Sequence, residues 1–499
     1  MISTSKEVTC AGNKSEVTYY TIEDVKHRNG VDHPESWTVV YNKVYDISGI
    51  IKKHPGGDVI RLCAGRDGTD LIESYHSAAG TVQALKWLAP CYMGELAVPS
   101  ERIEALRTSD NLVGMTLPDG LVVANTRPDD KFFQTVRARV EKHLNKIGWG
   151  RHFFESIALG EVVITVLLYF YATWLVAVKQ SYWWAAVAGL LTGRLGFIMH
   201  MGNHRGISSN PAVNRVVEAI MDLIGGSSRI WSYEHAVAHH LTPNQLWTDN
   251  DCSIGEPHLR FHPGIQWKPI HRIQAPVTIL AITIGTLKWY LSDLYFLFKG
   301  TVGSQRMAIS FTDKVQTIAF KVIWFALHIA LPTYYGSFTF GLISACIMMA
   351  VAAHYLENIF LVNHIQEELI PDARLHWAVQ QVVGSANWAS GSHFWNFFSG
   401  GLNHQIEHHL FPSISHYCYP AIAGIVRDTC KEFGIPYVNY PNLASAWWSS
   451  VSYLHKLGLP PSHPDHLPAP KMVAKVQPSF IKTNQKADAA ANCSKSKAR

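Results

Sequence analysis

Four apolar segments in the middle of the chain are each long enough to cross a lipid bilayer. They cover residues 157–178, 182–199, 315–335 and 338–362. A membrane-spanning helix needs about 20 predominantly apolar residues, so each segment predicts one such helix. The links at 179–181 and 336–337 are so short that each pair is predicted to form a helical hairpin. The chain therefore predicts a mainly α-helical integral membrane domain with four transmembrane helices.

Two weaker apolar stretches lie between the hairpins, at residues 213–224 and 273–298. Both carry several charged side chains, so they predict helices that lie in the membrane interface or are only half inserted. Two charges also fall within the first hairpin, at Glu161 and Arg194. Charged groups are costly in lipid, so both side chains are predicted to face protein or an interface.

Histidines are concentrated at the ends of these segments and in the loops between them. The main clusters are His200-Met-Gly-Asn-His204, His235-Ala-Val-Ala-His239-His240 and Gln405-Ile-Glu-His408-His409. Neutral imidazole is a common ligand for iron, zinc and copper, and residues four apart on a helix share a face. The spacing predicts that His200 converges with His204, His235 with His239, and Gln405 with the pair that follows it. Three clusters offer more ligands than one ion takes, which predicts a two-metal site beside the membrane.

The order of spans and clusters determines whether a single site is possible. The first residues lack the apolar core of a signal peptide, so the N-terminus is predicted to stay in the cytosol. Each hairpin leaves that side and returns to it, which places His200 and His364 at cytosolic helix ends. With four spans, all candidate ligands and both termini lie on the cytosolic face. An odd number of crossings between the clusters would separate them.

The polar first part of the chain predicts a separate small α+β domain over residues 16–98. Residues 37–41, Trp-Thr-Val-Val-Tyr, are rich in β-branched and aromatic side chains and predict a strand. A turn at Asn42-Lys43 is predicted to join it to a second strand over 44–47. Pro55-Gly56-Gly57 then breaks the chain, and residues 67–76 predict a turn followed by a helix.

His54-Pro55-Gly56-Gly57 followed by His76 resembles the haem-binding motif of the cytochrome b5 family. The resemblance covers residues 16–98 and includes Trp37 and the segment Tyr45-Asp46-Ile47. It implies a b-type haem (heme b) whose iron is held axially by His54 and His76. Two protein ligands leave no open coordination position, which suits electron transfer rather than oxygen binding.

The region from about 150 to 450 resembles the membrane fatty acid desaturases, and among them the front-end type with an N-terminal cytochrome b5 domain. The most specific match is Gly-Gly-Leu-Asn-His-Gln-Ile-Glu-His-His-Leu-Phe-Pro at 400–412. In other desaturases the third histidine cluster, or histidine box, begins with a histidine, and here Gln405 stands at that position. The resemblance implies a cytosolic cap with two non-haem iron ions, O2 as co-substrate, and Gln405 bound directly or through water. The implied iron ligands are His200, His204, His235, His239, His240, His364, Gln405, His408 and His409.

Departures from the family pattern bear on the details. Met201 follows His200 where an aspartate is common, so an acidic partner that orients an imidazole is missing at that place. Three residues separate His235 from the next histidine pair, where many relatives have two. This spacing resembles delta-5 and delta-4 enzymes more than delta-6 enzymes. His404 lies beside Gln405 but on another helix face, and it is not assigned as a ligand.

The implied activity is insertion of a cis double bond between the carboxyl end and an existing double bond of a (poly)unsaturated acyl chain, at delta-5 or delta-4. Electrons are expected from NADH through a separate cytochrome b5 reductase, because the chain has no GxGxxG or Walker motif. Alternatives are delta-6, delta-8 or sphingolipid long-chain-base desaturation, fatty acyl hydroxylation, and a membrane electron carrier without a second iron site. The Gln405 box, Gln405-Ile-Glu-His408-His409, argues against hydroxylation, and an electron carrier has no use for three histidine clusters.

Composition and termini complete the predicted organisation. A formal net charge of +5 over 499 residues, with no aromatic-interleaved basic block, argues against nucleic acid as a partner. The eight cysteines form no CxxC pair and predict reduced thiols. Residues 99–150 are predicted to form a linker and juxtamembrane helix, 151–455 the desaturase domain and 460–499 a disordered tail. The tail ends Lys495-Ser-Lys497-Ala-Arg499, which matches a dilysine retrieval signal of the endoplasmic reticulum.

Overall fold

The computed structural model describes residues 17–99, 115–116, 121–123, 131–303, 305–369 and 375–468. The predicted N-terminal tail and most of the predicted C-terminal tail, with its dilysine-like end, lie outside these residues. The described chain has an N-terminal domain of strands and short helices, followed by a mainly helical domain. This is the fold class that the sequence predicts.

The N-terminal domain is built on a mixed sheet of seven strands. The strands are β1 (Tyr19–Thr21), β2 (Trp37–Val40), β3 (Lys43–Asp46), β4 (Arg66–Asp67), β5 (Tyr92–Pro99), β6 (Met115–Thr116) and β7 (Leu121–Val123). The predicted hairpin of β2 and β3 is present, but its turn falls at Tyr41-Asn42, one residue early. Both residues adopt a positive φ (48° and 62°), which matches the twist of the strands. β6 and β7 extend the sheet from a region predicted as a linker.

The helical elements of this domain hold the two candidate haem ligands at their ends. They are α1 (Ile22–His27), α2 (Thr69–Tyr75) and α3 (Ala78–Leu88), with 3-10 turns at Ile51–Lys53, Gly57–Cys63 and Ala89–Cys91. His54 follows the first of these turns, and His76 caps the C-terminal end of α2. Ser77 starts α3 by accepting a hydrogen bond from the amide of Gly80 (3.0 Å). His76 is therefore fixed between two helix ends.

The second domain contains most of the helices. They are α4 (Lys131–Lys146), α5 (Glu155–Lys179), α6 (Tyr182–Asn203), α7 (Pro211–Glu218), α8 (Ile220–Leu223), α9 (Ser228–Trp231), α10 (Gln274–Ile282), α11 (Leu287–Lys299), α12 (Phe311–Phe325), α13 (Leu331–Tyr335), α14 (Phe338–His364), α15 (Trp377–Val383), α16 (His393–Phe398), α17 (Gln405–Leu410), α18 (Tyr419–Glu432) and α19 (Leu443–Gly458).

Short irregular elements connect these helices. π-helical turns occupy Ser232–His239 and Ala326–Ala330, and 3-10 turns occupy Asn250–Cys252, Pro269–Ile273, Leu402–His404 and His416–Cys418. The remaining strands are β8 (Thr301–Val302), β9 (Gln305–Arg306), β10 (Ala386–Trp388) and β11 (Val438–Tyr440). β8 pairs with β9, and β10 pairs in parallel with β11.

Four helical segments are long and apolar enough to cross a membrane, as predicted: α5, α6, the run Phe311–Tyr335 and α14. The largest difference at any predicted end is four residues, since α6 continues to Asn203 and the third segment begins at Phe311. The pair Pro269–Ile282 and Leu287–Lys299 is bent by 90° and would add a fifth crossing only as one broken span. α11 exposes Leu291 and Phe298, which suits the predicted interfacial position.

α6 is the central membrane helix, with 78% of its apolar window buried against 22–39% in the others. Glycines allow α14 to approach it closely. A Cβ at Gly189 would lie 2.6 Å from the carbonyl oxygen of Met348, and one at Gly193 would lie 2.5 Å from Cδ1 of Tyr355. Small residues four apart are a common device of helix packing in membranes. This contact fixes His200 relative to His364.

The two charges within the first hairpin pair with each other, as the cost of charge in lipid requires. Arg194 contacts Glu161 through Nη2 and Oε1, and the side chains are only 10% and 9% exposed. The hydroxyl of Tyr417 donates to Oε2 of Glu161 (2.6 Å), and Arg194 donates to the carbonyl of Phe397. Both charges therefore face protein, which confirms the prediction.

The N-terminal domain packs directly against the second domain. Leu62 shares one buried apolar cluster with Tyr233 and Val237 of the π-helical turn Ser232–His239. Beside this cluster, Arg229 forms an ion pair with Asp58 (2.6 Å), and the Arg229 side chain is only 6% exposed. A contact of this kind holds the loop after His54 against the segment that carries the second histidine cluster.

Candidate metal centre and haem site

His54 and His76 face each other in the N-terminal domain. Their ring centroids are 6.2 Å apart and the ring planes lie at 74°. Nδ1 of His54 donates to the carbonyl of Gly57 (3.1 Å), and Nδ1 of His76 donates to the carbonyl of Ile72 (2.9 Å). With the proton on Nδ1, each ring keeps the lone pair of Nε2 for a metal.

The surroundings of these two rings fit a haem. Burial lowers the pKa of both His54 and His76, which favours the neutral imidazole that binds iron. A Cβ at Gly56 would lie 2.8 Å from Cε1 of His54, and one at Gly80 would lie 3.3 Å from Cβ of His76. Glycine at both positions therefore leaves space beside the rings that any other residue would fill.

Five histidines of the second domain form one buried group. It contains His200, His204, His235, His240 and His408, each with a ring nitrogen within 4.8 Å of the others. Nε2 of His235 lies 2.7 Å from that of His200 and 3.2 Å from that of His240. Nε2 of His240 lies 3.1 Å from that of His408. Lone pairs at these distances repel unless a proton or a cation lies between them, so the group fits a bound metal ion.

Three further histidines form a second group. His239, His364 and His409 have ring nitrogens within 4.8 Å of one another, and Nε2 of His239 lies 3.2 Å from that of His364. The rings of His240 and His409 stack at a centroid distance of 4.3 Å and so join the two groups. The structure therefore brings all eight predicted histidines together in two adjacent groups of five and three.

His235 and His239 lie side by side, with their rings stacked at a centroid distance of 5.3 Å, but they do not converge on one point as predicted, because His235 belongs to the first group and His239 to the second. The segment Ser232–His239 is π-helical, and its hydrogen bonds join residues five apart rather than four. His235 therefore shares a face with His240, five residues later. His408 and His409 are also divided between the groups, because neighbouring residues on α17 project in different directions.

Hydrogen bonds to residues around the second group determine which ring nitrogen of its histidines faces the centre of the group. Nδ1 of His364 donates to the carbonyl of Gly384 (2.9 Å). Nδ1 of His409 donates to Oε1 of Gln381 (2.8 Å). Both rings therefore direct the lone pair of Nε2 inward. At metal sites this arrangement is produced by outer partners, the residues that hydrogen-bond the ring nitrogen on the far side of a ligand histidine.

Two tyrosines make the corresponding contacts in the first group. The hydroxyl of Tyr75, in the N-terminal domain, lies 2.9 Å from Nδ1 of His204. The hydroxyl of Tyr419 lies 3.3 Å from Nδ1 of His408. A phenolic oxygen can accept a hydrogen bond from Nδ1, which again leaves Nε2 for the metal.

Gln405 presents its amide nitrogen, rather than its oxygen, to the second group. The indole of Trp388 can only donate, and it donates to Oδ1 of Asn363 (2.9 Å). Nδ2 of Asn363 then donates to Oε1 of Gln405 (2.9 Å), which leaves Nε2 of Gln405 at 2.8 Å from Nε2 of His364. An amide NH2 donates hydrogen bonds and offers no lone pair to a metal. This orientation favours contact through water over direct binding.

The chemistry of the two groups fits two non-haem iron ions. Burial lowers the pKa of five group members outside the spanning helices well below the usual value, so their imidazoles are neutral: His204, His235, His240, His408 and His409. Burial acts on His239 in the same direction, but the Asp249 carboxylate outweighs it and raises the pKa of that imidazole. Nε2 of His204 and Nε2 of His409 have no hydrogen-bond partner in the part of the chain that the structure describes. Buried nitrogens without a partner are costly, and a metal ion would satisfy them.

Asp249 is the outer partner of His239. Its Oδ2 accepts hydrogen bonds from Nδ1 of His239 (3.0 Å) and from the amide of Asn244 (2.8 Å). We expect Asp249→Asn to weaken iron binding about tenfold, because the carboxylate raises the basicity of the imidazole. Non-haem iron in the purified protein measures this loss, and the haem content should not change. Asp428→Asn is the matched control, since its exposed carboxylate pairs with Arg427 (3.1 Å); equal loss in both variants would contradict the assignment.

Sequence reasoning missed these outer partners. Asp249, Gln381, Tyr75 and Tyr419 lie outside the histidine clusters, and their contacts span between 10 and 129 residues. Only Asp249 could have been identified from the sequence, because its carboxylate closely follows the second histidine cluster. Gln381 and Tyr75 lie 28 and 129 residues from their histidines, and Tyr419, 11 residues after His408, is brought to it by the turn between α17 and α18.

Two protein families and several curated relatives match the chain. The cytochrome b5-like heme/steroid binding domain family matches residues 21–97, and the fatty acid desaturase family matches residues 149–441. The acyl-lipid (8-3)-desaturase of Physcomitrium patens is 32% identical over 460 residues, or 88% of this chain and 91% of that protein. The Delta(5) fatty acid desaturase A of Dictyostelium discoideum is 30% identical over 476 residues, or 91% and 96%.

The fold and the two sites define a membrane-bound iron oxidoreductase with its own haem domain. The chain belongs to the fatty acid desaturase family and is a front-end member with a fused cytochrome b5 domain. It is an integral membrane enzyme that uses O2 and acts on lipid acyl chains. Its cofactors are haem and two non-haem iron ions.

Proposed function

We propose that the enzyme inserts a cis double bond between the carboxyl end and an existing double bond of a polyunsaturated acyl chain, at delta-5 or, second, at delta-4. The observation that carries this proposal is the fusion of a haem site to two histidine groups that include the Gln405 box. The three residues between His235 and His239 support delta-5 or delta-4, and the name of the Dictyostelium relative supports delta-5. An sn-1 linoleoyl-lipid 6-desaturase of Synechocystis, 33% identical over 270 residues, keeps delta-6 as the alternative.

We assign the iron ligands from the nitrogens that face inward. In this assignment the first group holds one ion through His200, His204, His235, His240 and His408, and the second group holds the other through His239, His364 and His409. Gln405 contributes through a water molecule, which its amide orientation supports. His54 and His76 are the proposed axial ligands of the haem, supported by their inward Nε2 atoms.

When bound, haem supplies single electrons and the iron pair supplies the oxidising power to remove two hydrogens from neighbouring methylenes. The protein keeps water from this site, since the eight histidines are at most 6% exposed. Trp231 stacks on His235 at a centroid distance of 5.0 Å, and Phe360 lies 6.4 Å from His200. These two aromatic rings form an apolar wall beside the first group, where an acyl chain can lie against the site.

The remaining assignments concern position in the cell and the electron donor. We place the enzyme in the endoplasmic reticulum with both termini in the cytosol, because four spans return the chain to its starting side. We assign residues 16–98 to the haem domain, 99–150 to the linker and juxtamembrane helix, 151–455 to the desaturase domain and 460–499 to the tail. An NADH–cytochrome b5 reductase is the proposed donor, since the haem domain needs a separate source of electrons.

Yeast that expresses the chain and is fed a panel of polyunsaturated acids tests the regiochemistry. We expect gas chromatography–mass spectrometry to detect a new double bond on the carboxyl side, at delta-5. An empty vector is the control for the host's own desaturases. A bond at delta-6 or delta-8 would contradict the assigned position, and a hydroxylated product would contradict desaturation itself.

A further inference from the structure

A tyrosine connects the two metal-binding domains directly. Tyr75 precedes the proposed haem ligand His76 in the chain, and its hydroxyl lies 2.9 Å from Nδ1 of His204, a proposed iron ligand. The His204 side chain is fully buried, and its Nε2 has no hydrogen-bond partner within the described residues. With Nε2 on iron, Nδ1 carries the ring proton and donates it to the oxygen of Tyr75.

The backbone of Tyr75 is also fixed to the second domain. Its carbonyl accepts hydrogen bonds from Nη1 of Arg151 (2.7 Å) and from Oγ of Ser413 (3.2 Å). Arg151 and Ser413 contact each other as well. Ser413 lies just beyond the third histidine cluster, so these bonds hold the end of α2 against the metal centre. The hydroxyl contact is therefore part of a rigid junction and does not depend on one side chain alone.

We propose that Tyr75 and His204 form the route by which electrons pass from the haem to the iron pair. The path runs from His76 through one peptide bond to Tyr75, and then through one hydrogen bond to His204. Electrons tunnel more readily through covalent and hydrogen bonds than across van der Waals gaps. The proposal rests on the assigned ligands His76 and His204, and it goes beyond the proposed function because that function does not specify a route.

The electron count of this step is balanced. Each transfer oxidises one ferrous haem to ferric haem and reduces one ferric ion to the ferrous state. Tyr75 and His204 keep their protons, so no proton moves with the electron along this path. Two transfers, together with two hydrogen atoms from the acyl chain and two protons from solvent, reduce one O2 to two water molecules. NADH, through the proposed reductase, reduces the haem again.

Tyr75→Phe tests the route, because it removes the hydroxyl and keeps the ring. In purified full-length protein without O2 and with ferric non-haem iron, a photochemical flash reduces the haem, and absorbance follows the decay of ferrous haem. We expect a first-order decay in the wild type and a severalfold slower decay in Tyr75→Phe, because removing the hydroxyl replaces the hydrogen bond to His204 with a gap. Tyr75→Leu should be slower still. Wild-type decay in both variants would overturn the proposal.

Two other tyrosines separate an electron route from the orientation of a ligand. The hydroxyl of Tyr419 makes the same type of contact with His408, but from within the second domain. The hydroxyl of Tyr41 donates to Glu73 within the N-terminal domain. We expect Tyr41→Phe to transfer electrons at the wild-type rate, and Tyr419→Phe, which loses only a residue that orients a ligand, to decay faster than Tyr75→Phe. A slow decay in Tyr419→Phe equal to that of Tyr75→Phe would overturn the proposal, because ligand orientation would then explain both.

Measurements other than the rate distinguish a structural effect of the substitution from loss of the electron route. Haem content, haem midpoint potential and non-haem iron should be the same in Tyr75→Phe and in the wild type. An altered potential that accounts for the slower decay would overturn the route. The ligand assignment is tested separately by non-haem iron in His204→Ala and by haem in His76→Ala. Its failure can therefore be distinguished from the failure of the route, and neither depends on the position of the double bond.

Discussion

Replacing His408 with alanine is expected to abolish desaturation and to leave the haem absorbance unchanged. The His408 ring is 3% exposed, and its Nε2 lies 3.1 Å from that of His240. The substitution removes one proposed ligand and opens the site to water. We expect the activity to fall more than about a hundredfold, beyond the cost of losing an outer partner. Gas chromatography–mass spectrometry of lipids from expressing yeast measures the product, and the haem bands report that the protein is folded.

His404→Gln is the matched control for this variant. His404 is also buried and lies next to the same helix, but it hydrogen-bonds Asn403 (3.0 Å) and the carbonyl of Ser390 (2.7 Å) instead of a histidine group. This variant should retain non-haem iron and desaturation. Retained activity in His408→Ala would show that His408 is not a ligand. If His408→Ala lost its haem as well, His408→Gln, which conserves more volume, would replace it in the test.

The parts of the fold that sequence predicts are those decided by local composition. The four membrane segments follow from length and hydropathy, because a spanning helix must satisfy its own backbone and expose apolar side chains. That Glu161 and Arg194 face protein follows from the cost of charge in lipid. The two candidate haem ligands follow from the short motif His54 to Gly57 and from His76, which lies in the same domain. None of these required knowledge of how distant elements pack.

The arrangement of the ligands depended on local geometry that the sequence does not reveal. The α-helical repeat predicted that His235 and His239 converge on one point; their rings do stack, but the π-helical turn places His235 in one metal-binding group with His240 and leaves His239 in the other. Nothing in Ser-Tyr-Glu-His-Ala-Val-Ala-His distinguishes the two helix types, since the segment is buried on most sides. Packing against the N-terminal domain, through Tyr233 and Val237, accompanies this turn.

The contacts between domains could not be predicted from one sequence. Tyr75 and His204 are 129 residues apart, and Tyr75 and Arg151 are 76 residues apart. Each is an ordinary residue in its local context, and only the docking of the two domains brings the pairs together. The same holds for the orientation of Gln405, which depends on Trp388 through Asn363.

Replacing His76 with alanine is expected to remove the haem and, with it, desaturation, while the non-haem iron stays. His54 would be the only remaining axial ligand, and it holds one face of the haem. Neither histidine group includes a residue of the N-terminal domain, so the iron content should match the wild type. Haem is measured by its absorbance, iron with a chelator, and products in a yeast strain that lacks its own cytochrome b5.

His33→Ala is the control for this variant, because His33 belongs to the same domain and its ring packs near His27 at 5.6 Å. It should keep both haem and activity. Normal haem content in His76→Ala would contradict the ligand assignment, and loss of iron together with haem would contradict the independence of the two sites. We also expect added soluble cytochrome b5 to restore little activity to His76→Ala. The haem-free domain would still cover the metal centre through Tyr75 and Arg151, and would exclude a second cytochrome from the same junction.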